Sequence, residues 1–211
     1  MQNSLIVNTN KIHKVSGIII SIFVFIHLFN HFYSIFGAEK HIEVMQQFRL
    51  FYRNIFAETI LLIAITIQII SGIKLFKSKV KTTSLFFEKL HIWSGLYLVV
   101  FFIIHLSAVF AGRFILHLDT NFYFGVAGLN HFPNNLFFIP YYALAIISFF
   151  GHIAAIHNKK MKINIFGIQP NTQSKTILIF GILLAIVIFY GLTNNFEGIT
   201  IPQEYNVLIG K

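Results

Sequence analysis

Residues 90–112 read LHIWSGLYLVVFFIIHLSAVFAG, a run that contains no Asp, Glu, Lys or Arg. A helix rises about 1.5 Å per residue, so roughly 20 apolar residues cross the hydrocarbon core of a bilayer. Four other runs of similar length occur in the chain, and the five predicted helices cover 15–36, 56–76, 90–112, 137–157 and 176–193. We therefore predict an all-α integral membrane protein in which residues 1–211 form one transmembrane domain.

The composition of the 211 residues favours the same class. The chain is 56% hydrophobic and 11% charged, whereas soluble proteins are about 25% charged. There is no cysteine, which excludes a disulfide or a thiolate-bound iron–sulfur cluster within the chain. The net charge of +9 lies in short clusters between the apolar runs, which is typical of a membrane topology signal. We expect contact with membrane lipid and no nucleic-acid partner.

The distribution of Lys and Arg predicts the orientation, because positively charged connections are retained on the cytoplasmic side. The N-terminus and the second and fourth connections carry eleven of these residues: Lys11, Lys14, Lys74, Lys77, Lys79, Lys81, Lys89, Lys159, Lys160, Lys162 and Lys175. The opposite side carries five: Lys40, Arg49, Arg53, Arg113 and Lys211. We therefore expect the N-terminus inside and the C-terminus outside. The long outer connection 114–136 is expected to form an interfacial cap over the bundle.

A short motif occurs twice, once on the first and once on the third predicted helix. It consists of His-x-x-Ser-Gly and a second histidine fourteen positions after the first. The two copies are His13, Ser16, Gly17 and His27, and His91, Ser94, Gly95 and His105. Since both helices run in the same direction, the second histidines lie at one depth, about 20 Å above the motifs and in the outer half of the membrane.

Two imidazoles that face each other at one depth suit a six-coordinate haem, whose iron takes one nitrogen on each face. We therefore expect His27 and His105 to be the axial ligands of a b-type haem. The alternative is that each histidine only hydrogen-bonds a neighbouring helix, as polar residues in transmembrane helices often do.

A second haem, in the inner half, needs another pair of ligands. His152 lies there on the fourth predicted helix, but the second helix offers Gln68, and an amide is a poor ligand for iron. His13 and His91 are another candidate pair, although both lie at the headgroup boundary. One haem is therefore expected, while a second is doubtful.

Further polar residues have two interpretations each. Glu58, at the outer start of the second helix, either stabilises the helix dipole or exchanges protons with a quinol near the outer haem. Ser16 and Ser94, with His13 and His91, either cap the interface or contact haem propionates or a quinone. The remaining outer histidines are expected to be solvated loop residues: His31, His41, His117 and His131.

These residues resemble a known family. The stretch from His13 to Glu39, with its His-x-x-Ser-Gly motif, His27-Leu28 and Asn30-His31-Phe32, is similar to the first helix and following loop of the single-chain, five-helix cytochrome b subunits of succinate:menaquinone and fumarate reductases. The similarity continues through Glu58, Ser71-Gly72, His105 and Gly151-His152.

The resemblance implies a membrane anchor of the respiratory electron-transport chain in the bacterial cytoplasmic membrane. In that family four histidines bind two haems, which implies His27 and His105 for the outer haem and position 68 with His152 for the inner one. Gln68 departs from that pattern. The resemblance also implies menaquinone as the quinone, Glu58 near the quinone site, and flavoprotein and iron–sulfur partners on the basic cytoplasmic face.

The sequence is compatible with three functions. The first is electron transfer between an iron–sulfur partner of a succinate dehydrogenase or fumarate reductase, haem b and membrane quinone, with the dicarboxylate chemistry left to other subunits. In the second, the chain also binds haem, but it is the cytochrome b subunit of a hydrogenase or another quinone-linked dehydrogenase, or a free-standing electron carrier. The third is a haem-free structural or transport membrane protein.

Overall fold

The computed structural model describes the backbone of residues 2–211 and the side chains from Thr9 onward. These residues are 78% helical and contain no β-strand. The helices are α1 (Gln2–Phe32), α2 (Ala38–Tyr52), α3 (Ile55–Lys79), α4 (Phe86–Phe110), α5 (Phe122–Val126), α6 (Asn135–Lys160) and α7 (Pro170–Leu192). The chain also forms two 3-10 segments, Tyr33–Phe36 and Gln203–Ile209, and one π-helical turn, Ala111–Ile115.

Five segments of the described chain are long and apolar enough to cross a membrane: Thr9–Phe36, Ile55–Lys79, Phe86–Ile115, Asn135–Lys160 and Pro170–Leu192. They match the five predicted helices one to one, with ends that differ by six residues or fewer. The ends differ because polar flanking residues continue the helical hydrogen bonding beyond each apolar run. Most residues of these segments are not buried within the protein, which leaves them available for contact with lipid. The prediction of an all-α, multi-pass membrane protein is confirmed.

The five spans form a ring in which each helix packs against its neighbours in the order α1, α3, α4, α6 and α7, and α7 packs back on α1. The contacts of α6 with α4 and with α7 are the most extensive. The largest buried cluster lies around α6 and α7 and includes Phe149, Phe150, Ile188 and Phe189. At Gly181 an added Cβ would lie 2.3 Å from the Cβ of Phe150, so a residue without a side chain is required for α7 to approach α6.

Successive spans run in opposite directions, so the bundle has two ends. We call the end at which α3 and α6 finish the inner end, and the end that carries α2 and α5 the outer end, following the predicted orientation. Lysines stand in the last turns of both α3 and α6, at the inner end. Which end faces the cytoplasm stays a prediction.

The predicted cap is present at the outer end. Phe122, Val126 and Leu129, from the connection between α4 and α6, are buried in the largest apolar cluster. The C-terminal 3-10 segment joins this cap through Tyr205, which is 1% exposed and whose hydroxyl donates to the carbonyl of Asp119 at 3.0 Å. Neither this segment nor α2 was predicted from the sequence, because their apolar residues form no long run.

Candidate functional site

The predicted outer pair is brought together by α1 and α4. His27 and His105 have ring centroids 6.2 Å apart, with planes inclined by 68°. Each imidazole stacks on a phenylalanine four positions earlier: Phe23 lies 5.6 Å from His27 at 17°, and Phe101 lies 5.0 Å from His105 at 13°. Residues four apart share one face of a helix. The repeated motif therefore includes a Phe-x-x-x-His element that was not recognised in the sequence, and the predicted proximity of the two histidines is confirmed.

The geometry of this pair fits two axial ligands of one iron. An imidazole nitrogen lies about 2 Å from a first-row metal, so two imidazoles on opposite faces of one iron have centroids roughly 6 Å apart. The separation of 6.2 Å agrees with this value. Both residues are partly buried in the part of the chain that the structure describes. The residues present therefore fit a bis-imidazole haem.

Two more histidines extend the pair towards the outer end. His31 lies one turn after His27, and their Nε2 atoms are 3.1 Å apart. Nε2 of His41, on α2, lies 3.4 Å from Nδ1 of His31 and 3.2 Å from Nδ2 of Asn30. Burial lowers the pKa of His41 to about 4, so this imidazole is neutral at pH 7.

The expectation that His31 and His41 are solvated loop residues is therefore wrong. His41 is 2% exposed, and His31 lies against His27. The i, i+4 spacing of His27 and His31 was the sequence signal that placed them on one helix face. His117, in contrast, is exposed as expected.

In the inner half, Gln68 of α3 is held by the first copy of the motif. The hydroxyl of Ser16 donates to Oε1 of Gln68 at 2.7 Å, and Nε2 of Gln68 lies 3.1 Å from Nε2 of His13. Nδ1 of His13 lies 2.8 Å from Oγ of Ser71, whose hydroxyl donates to the carbonyl of Ile67 at 2.6 Å. Nδ1 of His13 therefore donates to Ser71, and its Nε2 accepts from Gln68. Both ends of the Gln68 amide are engaged with α1.

The second copy of the motif receives His152 of α6 in a similar way. Nδ1 of His152 lies 3.2 Å from the carbonyl oxygen of His91 and 3.3 Å from Oγ of Ser94. A carbonyl only accepts, so Nδ1 of His152 carries the hydrogen and the lone pair of its Nε2 is available to a ligand. Gly95 permits this approach, because a Cβ there would lie 3.1 Å from Cε1 of His152.

The inner residues thus pair differently from either predicted combination. The candidate pairs were Gln68 with His152 and His13 with His91, whereas the structure joins His13 to Gln68 and His91 to His152. The rings of His91 and His152 have centroids 4.3 Å apart. Two imidazoles this close leave no room for an iron between them, since such a pair needs roughly 6 Å.

Charged residues form a group at the outer end, where α2, α3, α4 and the cap meet. Glu58, in the first turn of α3, forms an ion pair with Arg113 of the π-helical turn. Nη1 of Arg49 lies 2.8 Å from Oδ1 of Asp119. Glu58 therefore has a structural role as a helix-terminal anion in an ion pair, and its exchange of protons with a quinol stays a prediction.

No protein-family model, no curated protein and no solved structure matches this chain. The class of protein is defined by the fold and the site: a multi-pass helical membrane protein that carries histidine clusters at two depths.

Replacing Gln68 with leucine is expected to destabilise the fold by about 1–3 kcal/mol, because Nε2 of His13 and the hydroxyl of Ser16 each lose a partner. Thermal unfolding in detergent measures the effect. Thr66→Val is the matched control on the same helix, since Thr66 is exposed and its hydroxyl bonds only the carbonyl of Leu62. Equal stability of the two variants would contradict the structural role of Gln68.

Proposed function

We propose that this chain is a haem b-containing membrane anchor that transfers electrons between a dehydrogenase at the inner end and a membrane quinone. The observation that carries the proposal is the His27–His105 pair, with centroids 6.2 Å apart and each ring stacked on a phenylalanine of its own helix. Bound there, haem would supply a one-electron carrier within the membrane. Phe23 and Phe101 restrict the orientation of the two imidazole planes.

His31 must turn away for His27 to serve as a ligand. A nitrogen that binds iron carries neither a hydrogen nor a free lone pair, so Nε2 of His27 can then neither donate to nor accept from Nε2 of His31. In the structure His31 has two further contacts: its Nδ1 lies 3.4 Å from Nε2 of His41, and its backbone carbonyl accepts from the hydroxyl of Ser34 at 2.6 Å. The contact between His27 and His31 is also the observation that favours the haem-free alternative, in which these histidines form only polar contacts.

The inner cluster supports one haem per chain. Gln68 is engaged by Ser16 and His13, so its amide does not stand free to oppose His152. His152 keeps an available Nε2, but its ring lies against His91. Binding a second haem between these residues would require both hydrogen-bonded groups to separate.

The partner at the inner end is proposed from charge and from the family resemblance. Lys77 and Lys79 end α3, and Lys159 and Lys160 end α6, which makes this end basic. An iron–sulfur subunit with an acidic surface, joined to a flavoprotein of the succinate dehydrogenase or fumarate reductase type, is the complementary partner. The bacterial cytoplasmic membrane and menaquinone belong to the same proposal, and a hydrogenase-type dehydrogenase is the alternative partner.

Electron exchange with quinol tests this function directly. The full chain, loaded with haem and placed in liposomes, is expected to show reduction of its haem absorbance bands when a water-soluble menaquinol analogue is added. Glu58→Gln is expected to slow this reduction about 100-fold if Glu58 accepts the quinol proton.

Arg113→Gln is the matched control for that substitution, because it breaks the same ion pair and keeps the carboxylate. A much smaller effect of Arg113→Gln is expected. Equal slowing by both variants would show that only the ion pair matters, and a haem that no quinol reduces would contradict the proposed function.

A further inference from the structure

Helix α2 folds back along the outer half of α1. Three ring pairs show the antiparallel arrangement: His41 with His31 at 5.3 Å, Phe48 with Phe29 at 6.1 Å, and Tyr52 with Phe23 at 5.4 Å. Along α2, the contacted residue of α1 changes from His31, which follows His27, to Phe23, which precedes it. The central part of α2 therefore lies beside the level of His27.

One face of α2 is turned towards the bundle at this level. His41, Met45, Arg49 and Tyr52 are spaced by four, four and three positions, which places them on one face of a helix. His41 and Met45 are 2% and 4% exposed, and the side chain of Arg49 is 13% exposed. Arg49 is thus a largely buried cation on the face that lies nearest to the His27 level.

Arg49 has fewer acceptors than donors. Its Nη1 lies 2.8 Å from Oδ1 of Asp119, but Nε and Nη2 are buried and have no acceptor among the described residues. Burial raises the pKa of Tyr52, so this phenol, which lies within hydrogen-bonding reach of Arg49, is neutral and supplies no negative charge to balance the guanidinium. Leaving buried guanidinium donors unpaired is costly, which indicates that an acceptor comes from outside the chain.

The other two arginines of this end have partners of their own. Nη2 of Arg53 donates to Oγ1 of Thr120 at 2.7 Å, and Arg113 forms its ion pair with Glu58. Among the described residues, neither Arg53 nor Arg113 has a guanidinium nitrogen that is both buried and without a hydrogen-bond partner. Arg49 is therefore the arginine of this group whose buried donors are available to bind an anion.

We infer that Arg49 binds a propionate carboxylate of the haem held by His27 and His105, an inference that rests on the proposed function. Two unpaired N–H groups of one guanidinium match the two oxygens of a carboxylate in a bidentate arrangement. Asp119 holds the guanidinium from the cap, so the fixed side chain presents its remaining donors to the ligand. This places the propionates beside α2 in the outer half of the bundle, whereas the sequence had suggested contacts with Ser16, Ser94, His13 and His91 at the inner end.

The test compares haem with haem dimethyl ester, in which both carboxylates are neutral and the iron and macrocycle are unchanged. The full chain is produced without haem, purified in detergent and titrated with each porphyrin, and binding is followed at the Soret band. Wild type is expected to bind haem about tenfold more tightly than the ester, because the ester loses one charge-assisted hydrogen-bonded contact. Arg49→Gln is expected to bring this ratio to about one, and Arg49→Lys to retain part of it.

Arg53→Gln is the matched control, because Arg53 lies four residues after Arg49, directly after the end of α2, and this variant is expected to keep the wild-type ratio. Equal binding of haem and its ester by the wild type, or an unchanged ratio in Arg49→Gln, would overturn the inference and leave the proposed haem function intact. If neither porphyrin binds the wild type, the proposed function fails and the inference fails with it. The wild-type comparison needs no variant, so a poorly folded Arg49→Gln does not prevent a decision.

Discussion

Replacing His105 with alanine is expected to abolish stable haem binding, and His27→Ala is expected to do the same. Each substitution removes one of the two imidazoles whose rings face each other at 6.2 Å, and the remaining single ligand holds the iron much more weakly. The haem content of the purified full chain, from a pyridine haemochrome assay related to protein concentration, is expected to fall at least about tenfold.

Two other histidines provide controls for this prediction. His117 is exposed in the cap connection, so His117→Ala is expected to keep the wild-type haem content. His31→Ala is the sharper control, because His31 lies on the same face of α1 one turn from His27 and contacts it directly. Loss of haem in His31→Ala together with full content in His27→Ala would show that His31, and not His27, is the ligand.

Replacing Gly191 with alanine is expected to destabilise the bundle by about 3 kcal/mol, the upper range for overpacking a well-packed site. An added Cβ at this position would lie 2.2 Å from Oγ of Ser34 and 2.6 Å from the backbone nitrogen of Ile35. Because a backbone atom is involved, a change of side-chain rotamer does not relieve the overlap. Helix α7 would have to move away from the 3-10 segment that follows α1, and with it from the end of α1 that carries His27 and His31.

Gly125→Ala is the matched control for this substitution, since the Cβ it adds has no described atom within 4 Å apart from those of its chain neighbours and of its own helix backbone. The Gly125 variant is expected to be as stable as wild type or slightly more stable, because alanine is favoured over glycine within a helix. The fraction of monodisperse protein that survives heating, measured by size-exclusion chromatography, reports the difference. Equal survival of the two variants would contradict the close packing described for Gly191.

The parts of the fold that follow from local sequence were predicted. Each of the five spans is a long apolar run, and the thickness of a bilayer fixes the length of such a run without reference to the rest of the chain. The pairing of His27 with His105 also follows from local information, because two copies of one motif on helices of the same direction place the second histidines at one depth.

The parts that depend on contacts between distant segments were not predicted. Helix α2 mixes charged and apolar residues, and its packing along α1 is fixed by ring contacts such as Tyr52 with Phe23. The burial of His41 and Arg49 follows from that packing, so their sequence neighbours gave no sign of it. Gln68 was recognised as a departure from a histidine ligand, but its engagement by His13 and Ser16 depends on the close approach of α1 and α3.

The haem-to-protein ratio of the wild-type chain, purified after expression with ample haem, tests the central claim most directly. We expect about one haem per chain, with the low-spin spectrum that two imidazole ligands give. A ratio near zero, with no Soret band, would contradict the assignment of His27 and His105 as haem ligands. A ratio near two would contradict the assignment of Gln68 and His152 to separate hydrogen-bonded clusters without iron.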